Sequence, residues 1–171
     1  NNKIGIRPES IELTLVQDGV ETENKLTANA ENNWTVEFAN LNKYTLEGDE
    51  IVYTIKEEQV ANYKAPEYSQ GGLTVTNTID YLSIKTSKTA TKIWNDDNNR
   101  DGVRPDSIVI RLWADGVQID SKVVTAADAW AWYFFDLDKY QNGREIDYTI
   151  TEDPVPGYTT TIAYGVVTNT Y

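Results

Sequence analysis

The chain repeats itself. Asn98-Asn99-Arg100-Asp101-Gly102-Val103-Arg104-Pro105-Asp106-Ser107-Ile108 restates Asn1-Asn2-Lys3-Ile4-Gly5-Ile6-Arg7-Pro8-Glu9-Ser10-Ile11. Asp115-Gly116-Val117 then follows Asp18-Gly19-Val20, and Leu137-Asp138-Lys139-Tyr140 follows Leu41-Asn42-Lys43-Tyr44. Tyr148-Thr149-Ile150-Thr151-Glu152 matches Tyr53-Thr54-Ile55-Lys56-Glu57, and Val167-Thr168-Asn169-Thr170 matches Val75-Thr76-Asn77-Thr78. The matches keep their order along the whole chain, as in an array whose units do one job repeatedly. This points to two domains, residues 1–80 and 81–171, with the boundary between Ile79 and Ser87, and away from an enzyme with one unique site.

Composition narrows the class further. The 171 residues carry a net charge of −12 without a basic cluster, which argues against nucleic acid or an anionic membrane as partner. There is no Cys and no His. Disulfides, thiolate or imidazole metal sites and every Ser-His or Cys-His catalytic arrangement are therefore excluded. No apolar run is long enough to span a bilayer and the chain opens without a signal-peptide pattern, as expected of an internal fragment of a longer protein.

The elements read as all-β. Short alternating runs are separated by the turn pairs Asp18-Gly19, Gly71-Gly72, Asp115-Gly116, Asn142-Gly143 and Pro156-Gly157. Ile108, Ile110 and Leu112 share one face, as do Ile11, Leu13 and Leu15 in the first copy. Trp34, Val36 and Phe38 alternate like Trp130, Trp132 and Phe134, so a strand is expected at both places. No stretch keeps a helical period. A β-sandwich or partly open barrel for each copy follows.

Alternation also directs three polar residues inward. Glu152 shares a face with Ile146, Tyr148 and Ile150, Asn169 shares one with Val167, and Lys92 shares one with Ala90 and Trp94. In the first copy Glu57 falls with Ile51, Tyr53 and Ile55, and Asn77 with Leu73 and Val75. Burying such groups is costly unless they are partnered, and desolvation disfavours the charged forms of both amine and carboxyl. A neutral lysine amine can attack an asparagine carboxamide, and a protonated glutamic acid can polarise that carbonyl and shuttle protons as ammonia leaves. The product is a Lys–Asn isopeptide bond. From alternation alone, a Glu that caps a strand end at the solvent edge is the commoner outcome.

The chain resembles a tandem pair of collagen-adhesin B-type (Cna B-type) domains of Gram-positive surface adhesins and pilins. The resemblance rests on Thr91-Lys92-Ile93-Trp94-Asn95-Asp96, Asp101 to Ile108, Leu137-Asp138-Lys139-Tyr140, Tyr148 to Glu152, Pro156-Gly157-Tyr158 and Thr168-Asn169-Thr170. It implies two immunoglobulin-like β-sandwiches forming an extracellular stalk or spacer, attached to the cell wall through other parts of the protein. It also implies a bond between Lys92 and Asn169, assisted by Glu152, in place of a disulfide. A cross-link over a loop of that size is worth roughly 4–5 kcal/mol in the chain-entropy model built for disulfides.

Other readings are weaker. Asp97 to Gly102 imitates the opening of a calcium loop, but its twelfth position is Ile108, where a bidentate Glu is required, so no metal or other cofactor is expected. Asp136 and Asp138 resemble a hydrolytic carboxylate pair, but Asn40 and Asn42 stand there in the first copy. Tyr133 and Phe135 alternate out of phase with the Trp130 face and raise a second reading, a binding module that holds a host extracellular protein or a glycan. Partners otherwise are neighbouring repeats. The first copy keeps Glu57 and Asn77, but the counterpart of Lys92 falls outside the chain, and Lys3 aligns with Arg100 in the turn. One isopeptide bond is therefore expected, with an incomplete edge where the first strand of copy one belongs.

Overall fold

Tight turns with left-handed residues set the strand lengths in both halves of the chain. A computed structural model describes residues 2–171, which divide into two compact units at Ser83 and Ile84. Among the described residues there is no α-helix, only two short 3-10 turns.

In the first unit, β1 (Ser10–Gln17) and β2 (Val20–Asn29) form an antiparallel hairpin. Its turn places Asp18 at φ 49° and Gly19 at φ 82°, the two positive values that a two-residue hairpin loop of the mirror-image type needs. β3 (Tyr53–Glu57) pairs on the other side of β1, giving the order β2-β1-β3. The Asp18 side chain fixes that junction by accepting from Val52 N at 2.8 Å, while Asp18 N donates to Val52 O at 2.8 Å. β4 (Glu67–Ser69) and β5 (Thr74–Thr76) make a separate two-stranded hairpin. Leu13, Leu15, Val16 and Ala28 are buried, and so is Thr14. β1 is thus covered on consecutive residues, because it is the central strand and bulges after Thr14.

The second unit opens with β6 (Lys85–Asn95). β7 (Ser107–Ala114) and β8 (Val117–Thr125) repeat the first hairpin, with the equivalent turn at Asp115 and Gly116. β9 (Ala131–Asp138) follows, then a small hairpin of β10 (Tyr140–Gln141) and β11 (Arg144–Glu145). β12 (Tyr148–Glu152), β13 (Thr159–Ala163) and β14 (Val166–Thr170) complete it. The larger strands form two sheets, β12-β7-β8 and β13-β14-β6-β9. Their inner faces meet in a core of Ile108, Ile110, Leu112, Val124, Trp132, Phe134, Val155 and Val167. Each such large side chain removed from water contributes about 1.5–3 kcal/mol.

The units differ in one sheet. β6 is a central strand, parallel to β14 on one side and antiparallel to β9 on the other. Nothing among the described residues of the first unit takes that place. The expected strand over Trp34, Val36 and Phe38 is therefore absent: Trp34 lies in a turn at φ 59°, and residues 35–38 belong to no strand. Alternation marks which side chains face inward, whereas a strand also needs a partner backbone. Leu73, expected to face inward with Asn77, is 60% exposed for the same reason. The β4–β5 turn settles instead against β3, where Ile55 N donates to Gly72 O at 2.9 Å. Gly72 has φ +83°, and a Cβ there would stand 2.7 Å from Thr54 Cγ2, so no other residue fits without movement. The corresponding turn in the second unit rests on β6, with Gly165 close to Thr89 O.

Candidate functional site

Three strands bring the polar set of the second unit together. β6 supplies Lys92, β12 supplies Glu152 and β14 supplies Asn169. In the parallel β6–β14 ladder Lys92 pairs with Val167 and Asn169 pairs with Trp94. Because side chains alternate, Lys92 and Asn169 are diagonal neighbours on one face of the sheet. That face is the inner one: Val167 and Asn169 are fully buried, and the side chains of Lys92 and Glu152 have no exposed area. Glu152 reaches the site from the opposite sheet, where it pairs with Ile110.

Lys92 Nζ stands 2.6 Å from Glu152 Oε1, at angles outside hydrogen-bonding geometry. Glu152 Oε2 accepts from Thr160 Oγ1 at 3.0 Å. The ammonium also lies 4.6 Å from the centre of the Trp94 ring. Burial pushes the Lys92 amine down from its ordinary value, against the opposing pull of Glu152. Both polar atoms of the Asn169 side chain are buried without a partner. An unmet buried polar group costs about 1–3 kcal/mol, so this carboxamide is held at a penalty beside an amine whose charged form burial disfavours.

A second polar cluster closes the same end of β6. The Asp96 carboxylate takes a bidentate pair from Arg104, with Nε at 2.8 Å from Oδ2. It also accepts from the Tyr158 hydroxyl at 3.0 Å and from Asn99 N at 3.0 Å. These donors hold the Asp96 carboxyl well below the usual carboxylate range. Trp94 packs edge-on against Trp130 and Tyr158, and the Arg104 guanidinium lies over its ring at 5.1 Å. Reading the sequence missed the roles of Thr160 and of the Asp96–Arg104–Tyr158 clasp, which joins two nearby residues to a distant tyrosine and follows no period. The one available signal was the Arg7–Arg104 match within the repeat.

The first unit holds two of the three groups. Glu57 is buried, and its Oε1 accepts from Asn77 Nδ2 at 2.7 Å. Burial pushes the Glu57 carboxyl up, partly offset by that hydrogen bond. Glu57 Oε2 and Asn77 Oδ1 are buried and unpartnered. Asp97 and Asp101, of the calcium-like loop, both pair with Arg100. Tyr133 and Phe135 on β9 are exposed, with ring centres 4.6 Å apart.

With this geometry the chain is a pair of immunoglobulin-like sandwiches with a lysine, a glutamate and an asparagine buried together in one of them. The family model described as the Cna protein B-type domain matches it twice, over residues 1–78 and 88–170, and the chain belongs to that family. It is 38% identical to the collagen adhesin of Staphylococcus aureus over 174 aligned residues, which cover all of this chain and 14% of that protein. Two solved structures of the collagen-binding protein of S. aureus are similar to it. The one containing two B repeat units is 36% identical with a TM-score of 0.55, over 100% of this chain and 46% of that one. The other, a single B repeat unit, is 34% identical with a TM-score of 0.50, over 99% of this chain and 91% of that one. One B repeat unit of that surface protein thus corresponds in length to both units of this chain.

Proposed function

We propose that this pair of units is a stalk or spacer segment of a Gram-positive cell-surface adhesin or pilin, stapled by an isopeptide bond between Lys92 and Asn169. The observation that carries the bond is the contact of two fully buried side chains, Lys92 and Glu152 from the opposite sheet, with the unpartnered Asn169 carboxamide on the same face as Lys92. The neutral Lys92 amine attacks Asn169 Cγ, forming the Nζ–Cγ bond. The Cγ–Nδ2 bond breaks, and ammonia leaves with the protons that Glu152 relays. A buried amine and a buried primary amide become one secondary amide, so the reaction removes the most costly groups in the core. Glu152 acts once per molecule, and the segment is not an enzyme in the sense of turnover.

The stalk role is supported by family membership and by the relative's description as a surface protein. On this reading the segment lies outside the cell. The bond would join the first and last strands of the second unit, so tension entering at β6 would leave through β14 without crossing the rest of the fold. Intact mass of the folded chain tests the reading: one missing ammonia is expected, and none missing in Glu152→Ala. A wild-type mass equal to that of the sequence overturns it.

A second reading rests on Tyr133 and Phe135, which present stacked, exposed rings on the edge strand β9. Exposed apolar patches mark interaction sites. On that reading the segment also holds a host protein or glycan, and Phe135→Ser should abolish that binding without affecting the melt of the second unit.

A further inference from the structure

One face of the second unit carries no charge. In the sheet β13-β14-β6-β9, Trp132, Phe134, Val167 and Asn169 point inward, so the alternate positions face outward. Within residues 89–95, 131–135, Thr159–Ala163 and Val166–Thr170 none of those outward positions holds Asp, Glu, Lys or Arg, although 25% of the chain is charged. The outer faces of the three-stranded sheets carry ion pairs instead: Arg111–Asp153 at β12-β7-β8, and Lys25–Glu12 and Lys56–Glu21 at β2-β1-β3. Threonines take the place of charge: Thr89 and Thr91 on β6, Thr159 and Thr161 on β13, Thr168 and Thr170 on β14. Thr161 stands opposite Thr168 and Thr159 opposite Thr170, which makes a grid with the strand spacing of about 4.8 Å. Among the described residues no hydrogen bond engages these threonine hydroxyls. Beside the grid Tyr133 stands opposite Thr89, and its ring forms an exposed ledge with that of Phe135. Strand propensity accounts for threonines and aromatics. It does not account for the missing charge, because β9 and β13 are the edges of this sheet, where charged side chains ordinarily discourage pairing.

Building on the binding-module reading of Tyr133 and Phe135, we infer that this face is a platform for a neutral, unbranched glycan, whose hexose or N-acetylhexosamine rings sit on the two aromatic rings and whose hydroxyls bond across the threonine grid. A sugar ring has C–H groups that pack on an aromatic face and hydroxyls around its rim. A threonine hydroxyl both donates and accepts, so it meets either need of that rim. Charge decides against the other occupants. An anionic glycan would find no cation on this face and would approach a chain of net charge −12. A protein partner ordinarily brings arginine to its interface, and this face has no counter-charge to offset the desolvation.

The test titrates the isotope-labelled 171-residue chain with cellohexaose and with chitohexaose, two neutral unbranched probes, and follows the amide NMR shifts. A hyaluronan hexasaccharide is the anionic counterpart. Saturable shifts confined to β6, β9, β13 and β14 are expected for at least one neutral probe, with hyaluronan at least about tenfold weaker. Phe135→Ser and Tyr133→Ser should each weaken the neutral probe by about tenfold. Thr161→Val, which keeps the shape and removes one hydroxyl, should weaken it by about threefold. Amide spectra unchanged away from the face keep a lost contact apart from a lost fold. No saturable shift with either neutral probe, or hyaluronan binding as tightly, overturns the platform. Full binding by Thr161→Val overturns the role of the grid. If neither neutral probe binds but an immobilised extracellular-matrix protein stripped of its glycans is held in a Phe135-dependent manner, the glycan fails and the binding-module reading stands. If Phe135→Ser changes no binding to either, both fail.

Discussion

The two units share a sheet and differ in the one beside it. β2-β1-β3 and β8-β7-β12 have the same order, the same Asp-Gly turn and the same acid at the end of the last strand. The second unit then closes a core of eight large side chains, whereas the buried apolar residues of the first are Leu13, Leu15, Val16 and Ala28. One strand accounts for the difference. A hairpin-built sheet forms from neighbouring sequence, but the second layer of a sandwich depends on a central strand that both of its neighbours need.

The largest expected effect follows from removing that strand's amine. If Lys92 and Asn169 are joined as proposed, Lys92→Ala should lower the stability of the second unit by about 4–5 kcal/mol through the lost cross-link, leaving the first unaffected. In calorimetry the wild type should show two transitions with the first unit melting lower, and the variant should bring them together. An unchanged second transition would break the comparison.

Equivalent aromatic truncations come next. Phe134→Ala should cost about 3–5 kcal/mol, as expected for a fully buried ring. Phe38→Ala, at the matching but half-buried position, should cost well under half as much. Similar losses in denaturant melts would show that the first unit has a closed core after all.

Asp96→Asn removes a charge-assisted clasp found only in the second unit and should cost roughly 1.5–3 kcal/mol. Its carboxyl is held below its unfolded value, so the stability it contributes is complete above the ordinary carboxylate range and is lost as pH falls through and below it. The second unit should therefore lose acid-dependent stability that the variant lacks, as read by melting temperature against pH.

The smallest effect concerns Glu57. Its carboxyl is held above its unfolded value, so the folded first unit retains the proton more firmly. Its contribution is fully present below the unfolded pKa and is lost as pH rises through the folded one. Glu57→Gln should flatten that decline and slightly stabilise the first unit near neutrality, which a pH series of melts would register.

Much of this was legible from residues. Ile108, Ile110 and Leu112 declared their face by alternation, and inward phase identified Lys92, Glu152 and Asn169 despite their polarity. Trp34 to Phe38 misled because periodicity records the side a residue prefers and carries no information on whether a hydrogen-bonding neighbour exists. Leu73 misled similarly: no described strand of the first unit covers it. The Asp96 clasp was invisible because Arg104 and Tyr158 come from separate loops, and a buried aspartate in a turn looks like any solvated one until the fold assembles its donors.

The parallel pairing of β6 with β14 has a consequence for time. The first strand of the unit to be synthesised finds that neighbour only when the last one exists. Until then Lys92 is an ordinary solvated ammonium, and an ammonium has no lone pair with which to attack. On the proposed reading, the amine becomes a nucleophile only through the burial that the finished sandwich imposes. In the proposed chemistry the lost ammonia is thus a receipt for correct assembly: a chain that pairs wrongly stays unsealed and free to try again, and only the right arrangement becomes permanent.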